Sequence, residues 1–244
     1  MDKLAIIGGT GLDSLGILEV HKREVVTTPF GEPSGAITRG SLFGKEVFFL
    51  PRHGYGHAIP PHKINYRANL WALRELGVES ILAIAAVGGI RGDMLPARLA
   101  LPDQIIDYTW GRISTYYEGD NGEVVHIDFS NPYCEDLRQK LLTAAKRANV
   151  DIVDGGTYGA TQGPRLETAA EVGRMARDGC AIVGMTGMPE AALAREINLC
   201  YAGCAIVANW AAGIGDGEIT MEEIDANLKV GMAALGDLLK SLMA

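Results

Sequence analysis

The sequence predicts a single α/β domain over residues 1–244, built on a twisted, mixed or mainly parallel β-sheet with helices on its faces. Three observations predict this class. Apolar runs of strand length alternate with segments of helical spacing. The runs are almost continuously apolar, as expected of strands covered on both faces. Apolar residues make up 48% and charged residues 21% of the chain, which provides enough apolar side chains for a buried core.

The first 90 residues contain three predicted strands and one predicted helix. Apolar runs at 4–7 and 46–50 each end in a turn that contains glycine, and the run at 80–86 ends in two glycines. Between them, helical spacing over 64–76 predicts a helix that ends before Gly77.

The rest of the chain continues the alternation. In chain order, the predicted elements are a strand at 104–108, an amphipathic helix at 134–148, a segment at 156–161 leading into a Gly-Pro turn, a helix from about Glu167, a strand at 181–186, a helix at 189–197, a strand at 201–209 and a long helix at 221–243. The polar and aromatic segment 110–131 has no clear periodicity. We interpret it as a functional loop or as an arm at an interface.

Charge and hydropathy exclude two classes of partner. The net charge of −8, without a cluster of Lys or Arg, argues against binding of nucleic acid. The longest apolar run, 81–90, is too short to span a bilayer, so no membrane partner is expected. Because the first residues lead directly into a predicted strand without a signal-peptide pattern, we expect a cytoplasmic protein.

Cysteine and histidine spacing predicts neither disulfides nor a metal site. The four cysteines show no CxxC spacing and are expected to be buried, reduced thiols: Cys134, Cys180, Cys200 and Cys204. The spacing of His53 and His57 is that of a metal-binding pair on a helix, but glycines and prolines around them exclude a helix.

Polar side chains follow the predicted strands at the points where these strands end. They are Thr10, Arg52, His53, Thr186 and Asn209. In an open α/β sheet that edge binds ligands, so we expect these side chains to form a site. Arg52 offers a fork of donors suited to phosphate. Each residue also has a simpler interpretation, such as a tight glycine turn for Thr10, a helix cap for Thr186 or, for Glu167, an acid in the first turn of a helix.

Six stretches carry a family resemblance. They are GGTGL at 8–12, PRHG at 51–54, HKINYRANLWAL at 62–73, HIDFSNPYC at 126–134, GPRLETAAE at 163–171 and GMTGMPEAALARE at 184–196. Together they resemble the family of trimeric purine nucleoside phosphorylases and methylthioadenosine phosphorylases. The similarity runs from about Ile6 to the C-terminal helix.

The resemblance implies phosphorolysis of a purine nucleoside in a homotrimer with sites at subunit interfaces, without a metal or an organic cofactor. Its implied phosphate residues are Thr10, Arg52, His53, Thr186 and the Ala85–Ala86 loop. Ala85 lacks the hydroxyl that the family often has there, so only backbone contacts are expected from it. The resemblance further implies that Met185 packs on the ribose and that His53 and Asn209 are catalytic.

Two residues predict the base. Methylthioadenosine enzymes typically have aspartates at the positions of Asn209 and Ala211, whereas Asn209 matches the amide of the 6-oxopurine enzymes. Glu167 also matches those enzymes. A carboxylate accepts a hydrogen bond from N1–H of hypoxanthine but is repelled by the lone pair on N1 of adenine. Trp210 and Ala211 are expected to lie against the base. We therefore predict strong discrimination against adenine nucleosides.

The residues at the sugar end match the methylthio branch of the family. His126 matches a histidine lent by a neighbouring subunit, and Met221, with Ile224, falls where that branch places apolar residues against the thioether. The leading hypothesis is therefore phosphorolysis of 5′-methylthioinosine. The alternatives are an inosine and guanosine phosphorylase, a methylthioadenosine phosphorylase, or a nucleoside-binding protein without enzymatic activity.

Overall fold

The computed structural model describes residues 3–9, 18–119, 122, 124–215 and 217–244. The strands among them are β1 (Leu4–Gly8), β2 (Leu18–Glu24), β3 (Ile37–Leu42), β4 (Lys45–Pro51), β5 (Ser80–Gly89), β6 (Leu99–Leu101), β7 (Gln104–Asp107), β8 (Ile152–Asp154), β9 (Thr157–Ala160), β10 (Cys180–Gly184) and β11 (Cys200–Trp210). The helices are α1 (Tyr66–Glu75), α2 (Glu135–Ala148), α3 (Ala169–Arg177), α4 (Gly187–Glu196) and α5 (Met221–Met243). The predicted α/β class is confirmed.

The sheet is organised around β5. This strand pairs in parallel with β1 on one side and with β11 on the other, and its last two residues pair antiparallel with β10. From β1 the sheet continues through β4, β3 and β2, and from β10 through β9 and β7. Since β1, β4, β5 and β11 run parallel, their carboxyl ends lie at one edge of the sheet. Arg52 and His53 follow the end of β4 and Asn209 lies near the end of β11, whereas Thr186 follows β10, which pairs antiparallel with β5.

The sheet separates two apolar clusters. In β1, Ala5 and Ile7 face the first cluster, whereas Leu4 and Ile6 face the second. Helices α1 and α4 contribute to the first, and α2 and α5 to the second. Burial of both faces explains why the central strands are apolar at nearly every position.

Four strands are not predicted by the sequence pattern. β2 is an edge strand whose residues, LEVHKRE, are mostly exposed, so no apolar alternation marks it. Its partner β3 was missed with it. β6 and β8 have three residues each, too few to show a period. The predicted helix at 221–243 coincides with α5.

The prediction that all four cysteines are reduced is wrong for two of them. Cys134, just before α2, and Cys200, the first residue of β11, form a disulfide with their Cα atoms 5.2 Å apart. The N–H of Cys134 donates to the carbonyl of Tyr201 at 2.7 Å, which brings the two segments together. Spacing cannot reveal a pair 66 residues apart. Cys180 and Cys204 are free and buried.

The described ranges contain neither a membrane-spanning helix nor a cluster of metal-ligating side chains. Within those ranges, no helix combines the length and the apolar character needed to cross a membrane. The same part of the chain has no group of three or more His, Cys, Asp or Glu residues that could hold a metal ion.

Candidate active site

Arg52 lies where β4 ends beside the end of β1. Its backbone N–H donates to the carbonyl of Gly8 at 2.9 Å, and its guanidinium turns inward until it is 2% exposed. Nε and Nη2 donate to the two carboxylate oxygens of Glu190 at 2.7 and 2.8 Å, and Nη1 donates to the carbonyl of Ile84 at 2.9 Å. Three of the five guanidinium N–H groups are thereby used, which leaves two for a ligand.

Glu190 and Tyr201 complete a buried network with Arg52. The hydroxyl of Tyr201 donates to Glu190 Oε1 at 2.8 Å, and the carboxylate is 1% exposed. Burial lowers the pKa of the Arg52 guanidinium, but the charge and the hydrogen bonds of Glu190 outweigh burial, so this pKa lies above its ordinary value. Arg52 therefore stays positively charged in the interior.

His53 follows Arg52 and is 9% exposed. Its Nδ1 lies 2.8 Å from the carbonyl oxygen of Ile59, and its ring stacks on that of His57 with centroids 4.2 Å apart. The Cδ2 edge of the ring lies beside Gly9, which directly follows β1. A methyl group added to the Cα of Gly9 would be 3.9 Å from Cδ2. Burial is the main cause that lowers the pKa of His53, to about 4. The imidazole is therefore neutral near pH 7.

The structure brings three predicted phosphate residues together, because Arg52, Ala85 and Thr186 line one small cavity. Ala86 follows at an exposed position of β5. Thr186 stands at the N-cap position of α4, yet its side chain makes no capping hydrogen bond. The simpler interpretation of Thr186 as a helix cap is therefore not supported. Thr10 lies outside the described residues.

Glu167 lies outside α3, two residues before its start. The helix is capped by Thr168, whose hydroxyl accepts from the N–H of Glu171 at 3.1 Å, while the carboxylate of Glu171 accepts from the N–H of Thr168 at 2.7 Å. Glu171 thus takes the first-turn role that the alternative interpretation gave to Glu167. Glu167 instead accepts a hydrogen bond at Oε1 from the hydroxyl of Thr161, at 2.6 Å.

Asn209 is buried near the carboxyl end of β11, at a register shift opposite Gly88. Its Nδ2 donates to the carbonyl of Trp210 at 2.7 Å, which orients the amide and leaves Nδ2 a second hydrogen. Ala211 is buried, and its N–H donates to the carbonyl of Gly89 at 2.8 Å. Trp210 is half-buried. The backbone that follows Asn209 is therefore fixed by hydrogen bonds.

Arg112 joins the loops that carry the predicted base and sugar residues. Its Nη1 donates to the carbonyls of Met185 and Met188 at 2.8 and 2.6 Å. Its Nη2 donates to the carbonyls of Thr161 and Gln162 at 3.1 and 2.8 Å, and its Nε donates to the side chain of Gln162. One guanidinium thus connects the segment after β9 with the segment after β10. Met185, predicted to contact the sugar, is half-buried there.

The residues predicted to contact the 5′ end of the sugar are not part of this cluster. His126 is exposed, and within the described part of the chain it has no hydrogen bond to the residues at the strand ends. Met221 begins α5 and is 67% exposed, and Ile224 is half-buried one turn later. The single chain therefore does not enclose the 5′ end of a nucleoside with these residues.

The sequence pattern of the phosphorylase superfamily matches residues 3–244 of this chain. The chain belongs to that superfamily. A probable S-methyl-5′-thioinosine phosphorylase of Xanthomonas campestris pv. campestris is 56% identical over 240 residues, which cover 98% of this chain and 96% of that protein. A 6-oxopurine nucleoside phosphorylase of Pyrococcus furiosus is 48% identical over 229 residues, covering 92% and 85% of the two chains.

Solved structures have the same fold as this phosphorylase. A methylthioadenosine phosphorylase from an Antarctic soil metagenomic library superposes with a TM-score of 0.91 at 35% identity, over 99% of this chain and 85% of that one. The family resemblance predicted from the six motifs is confirmed.

Sequence reasoning missed four residues of the phosphorylase that hold the site together. They are Arg112, Thr161, Glu190 and Tyr201. Glu190 has a signal in the sequence, since it is an acid within the largely apolar stretch 187–194, and a buried acid needs a partner. Arg112 lies in a loop without periodicity, so no pattern identifies it.

Proposed function

We propose that this phosphorylase converts 5′-methylthioinosine and inorganic phosphate to hypoxanthine and 5-methylthioribose 1-phosphate, without a metal or an organic cofactor. The observation that carries the proposal is the hydrogen bond from Thr161 to Glu167. It holds the carboxylate outside α3, on the loop that Arg112 ties to Met185. The alternatives differ in the base or in the sugar that the site accepts.

The carboxylate of Glu167 supports a 6-oxopurine base. The hydroxyl of Thr161 has one hydrogen, and donating it to Oε1 leaves Oε2 as an acceptor. Hypoxanthine presents N1–H to such an acceptor, whereas adenine presents a lone pair. A site built for one hydrogen-bond pattern rejects the other by about 10⁴-fold. Adenine nucleosides are therefore poor substrates in this proposal.

Asn209 would stabilise the leaving base. As the bond between C1′ and N9 breaks, negative charge develops on the purine ring. The oriented amide can accept from N7–H through Oδ1 and donate its second Nδ2 hydrogen to O6. Groups held in place before the reaction stabilise such charge without reorganisation.

The strand ends would hold the attacking phosphate. Arg52 supplies its two remaining N–H groups, Thr186 a hydroxyl and the Ala85–Ala86 segment its backbone, with Thr10 proposed to add a hydroxyl. A phosphate oxygen forms a bond to C1′ while the bond from C1′ to N9 breaks. Hydrogenphosphate loses one hydrogen ion and the base gains one, so atoms and charge balance. His53 lies at the same edge.

The 5′ end of the sugar is proposed to be enclosed by a neighbouring copy in a homotrimer. His126 lies on a segment with two highly exposed apolar side chains, Trp110 at 72% and Val124 at 71%, and Met221 is 67% exposed. A neighbouring copy seated on this segment would cover these apolar side chains. Light scattering should give three times the mass of the chain, and a stable monomer with full activity would contradict this part of the proposal.

The experiment that tests the proposal measures release of base from 5′-methylthioinosine and from inosine, with and without phosphate. We expect release only with phosphate, and a higher kcat/KM for methylthioinosine. If inosine is equal or better, the protein is a 6-oxopurine nucleoside phosphorylase. The Pyrococcus furiosus relative supports that second candidate. If neither releases base, the proposal is wrong.

A further inference from the structure

The carboxylate of Glu196, the last residue of α4, holds the chain where it enters the segment 117–130. Its Oε1 accepts from the hydroxyl of Thr115 at 2.7 Å, and its Oε2 accepts from the backbone N–H of Tyr116 at 2.8 Å. The hydroxyl of Thr115 also accepts from the N–H of Tyr117 at 3.1 Å. Both oxygens of one charged group are therefore committed to two consecutive residues, and hydrogen bonds to a charged acceptor are the stronger ones.

Arg195, the neighbour of Glu196 on α4, holds the chain where it leaves the same segment. Its guanidinium donates to the carbonyl of Asn131. The two ends of the segment 117–130 are thus fastened to adjacent residues at the end of one helix. Surface loops whose ends lie close together in this way are frequently functional.

Between these ends, residues 124–130 alternate in exposure. The even-numbered residues, Val124 and His126 among them, are exposed, and the odd-numbered residues are half-buried. A period of two is that of an extended chain with one side against the protein. Phe129, on the inner side, packs on the first apolar cluster. Val124 and His126 therefore face away from their own chain.

We propose that Glu196 and Arg195 are positioning residues for the methylthio end of the substrate. By holding both ends of the segment 117–130, they direct its exposed side, with Val124 and His126, to the 5′ end of a nucleoside bound by a neighbouring copy. This inference rests on the proposed function. It goes beyond that proposal because it assigns the preference for a methylthio group to two residues that act through the segment they hold.

Glu196→Gln tests this role because an amide has one acceptor oxygen, so its NH₂ group would face one of the two donors. We expect kcat/KM for methylthioinosine to fall by at least about tenfold, the effect of one lost methyl-sized contact, and kcat/KM for inosine to fall by less than about threefold. The ratio of kcat/KM for methylthioinosine to that for methylthioadenosine should not change, since both carry the methylthio group. A general loss of structure would instead lower kcat/KM for all three nucleosides equally.

Further variants locate the effect, and the first of them keeps the test open if Glu196→Gln does not fold. Thr115→Val should act like Glu196→Gln, whereas Thr115→Ser, which keeps the hydroxyl, should retain the preference for methylthioinosine over inosine. Glu46→Gln, which removes a carboxylate that accepts two hydrogen bonds from Arg39, is the control and should also retain it. As a readout without substrate, backbone hydrogen exchange at 124–130 should be faster in Glu196→Gln than in the wild type.

The outcomes separate this inference from the function on which it rests. If Glu196→Gln and Thr115→Val keep the wild-type preference for methylthioinosine over inosine, the inference is wrong although phosphorolysis stands. Equal losses for all three nucleosides, or unchanged hydrogen exchange at 124–130, would also overturn it. If the wild-type enzyme itself does not prefer methylthioinosine to inosine, or releases no base, the proposed function fails and this inference fails with it.

Discussion

Arg52 and Glu190, 138 residues apart in the sequence, are joined by two hydrogen bonds of 2.7 and 2.8 Å, and neither side chain is more than 2% exposed. The pair connects the end of β4 with α4, and Tyr201 on β11 donates to the same carboxylate. A buried ion pair of this kind adds little stability compared with apolar residues, but removal of one partner leaves the other charge uncompensated. Glu190 therefore positions the arginine of the proposed phosphate site.

Glu190→Gln should be severely destabilising. The amide keeps the shape of the side chain but leaves the charge of Arg52 without a counter-ion, so the free energy of unfolding should fall by about 3–5 kcal/mol. The KM for phosphate should rise by about tenfold or more because the guanidinium is no longer held. Urea unfolding and phosphate titrations measure both effects.

Glu46→Gln is the matched control for that substitution. Glu46 also accepts two hydrogen bonds from one guanidinium, that of Arg39, but both side chains are more than 40% exposed. Glu46→Gln should lower the free energy of unfolding by less than about 1 kcal/mol and should leave the KM for phosphate unchanged. Equal effects of the two substitutions would show that burial of the Arg52 pair has no special role.

Thr161→Val should weaken discrimination between bases. Without the hydroxyl, Glu167 loses the donor at Oε1, and a hydrogen bond to a charged group contributes about 1.5–3 kcal/mol. The kcat/KM for methylthioinosine should therefore fall by at least about tenfold, while that for methylthioadenosine changes little. Thr157→Val, on β9 itself, is the control and should leave the ratio of the two kcat/KM values unchanged. A change of the same size in both substrates would contradict the positioning role.

Arg112→Lys should impair catalysis although it preserves the charge. The guanidinium donates to carbonyls on two separate loops, and an ammonium group cannot reach them all. We expect kcat/KM to fall by at least about tenfold, with kcat affected as well as KM. Arg165→Lys, at an exposed ion pair with Glu171, should be nearly neutral. Wild-type kinetics in Arg112→Lys would show that the two loops hold their positions without the guanidinium.

His53 should make the protein less stable in mild acid. Its pKa is about 4 in the folded chain and near 6.5 in the unfolded chain, so the unfolded state binds more protons between these values. The free energy of unfolding should therefore decrease as the pH falls from about 6.5 to about 4, by at most about 3 kcal/mol. His53→Gln should lose that part of the pH dependence, whereas His21→Gln should keep it. An identical pH profile in wild type and His53→Gln would contradict the assignment.

The sequence predicts the central sheet well because its strands have a recognisable pattern of apolar residues. β1, β4, β5, β10 and β11 are apolar at almost every position, and their ends point to Arg52, His53, Thr186 and Asn209. The edge strand β2 is exposed and shows no such signal. The disulfide between Cys134 and Cys200 depends on tertiary contact, and both cysteines were wrongly predicted to be reduced.

The sequence predicts the site residues that follow a strand. It does not predict residues that act by holding another residue in place. Glu167 illustrates the difference. The family resemblance gave it a base-reading role, and its place near a predicted helix start also allowed it to be an acid of the first turn. The structure gives that first-turn position to Glu171. Thr161 and Arg112 hold the site by hydrogen bonds to distant segments, and such pairings leave no local pattern.

The central claim is that Glu167 and Asn209 select a 6-oxopurine base. The most direct test compares kcat/KM of the wild-type enzyme for 5′-methylthioinosine and 5′-methylthioadenosine at saturating phosphate, two substrates that differ at the purine alone. The account predicts a preference of about 10⁴-fold for methylthioinosine. Equal values for the two nucleosides would contradict it.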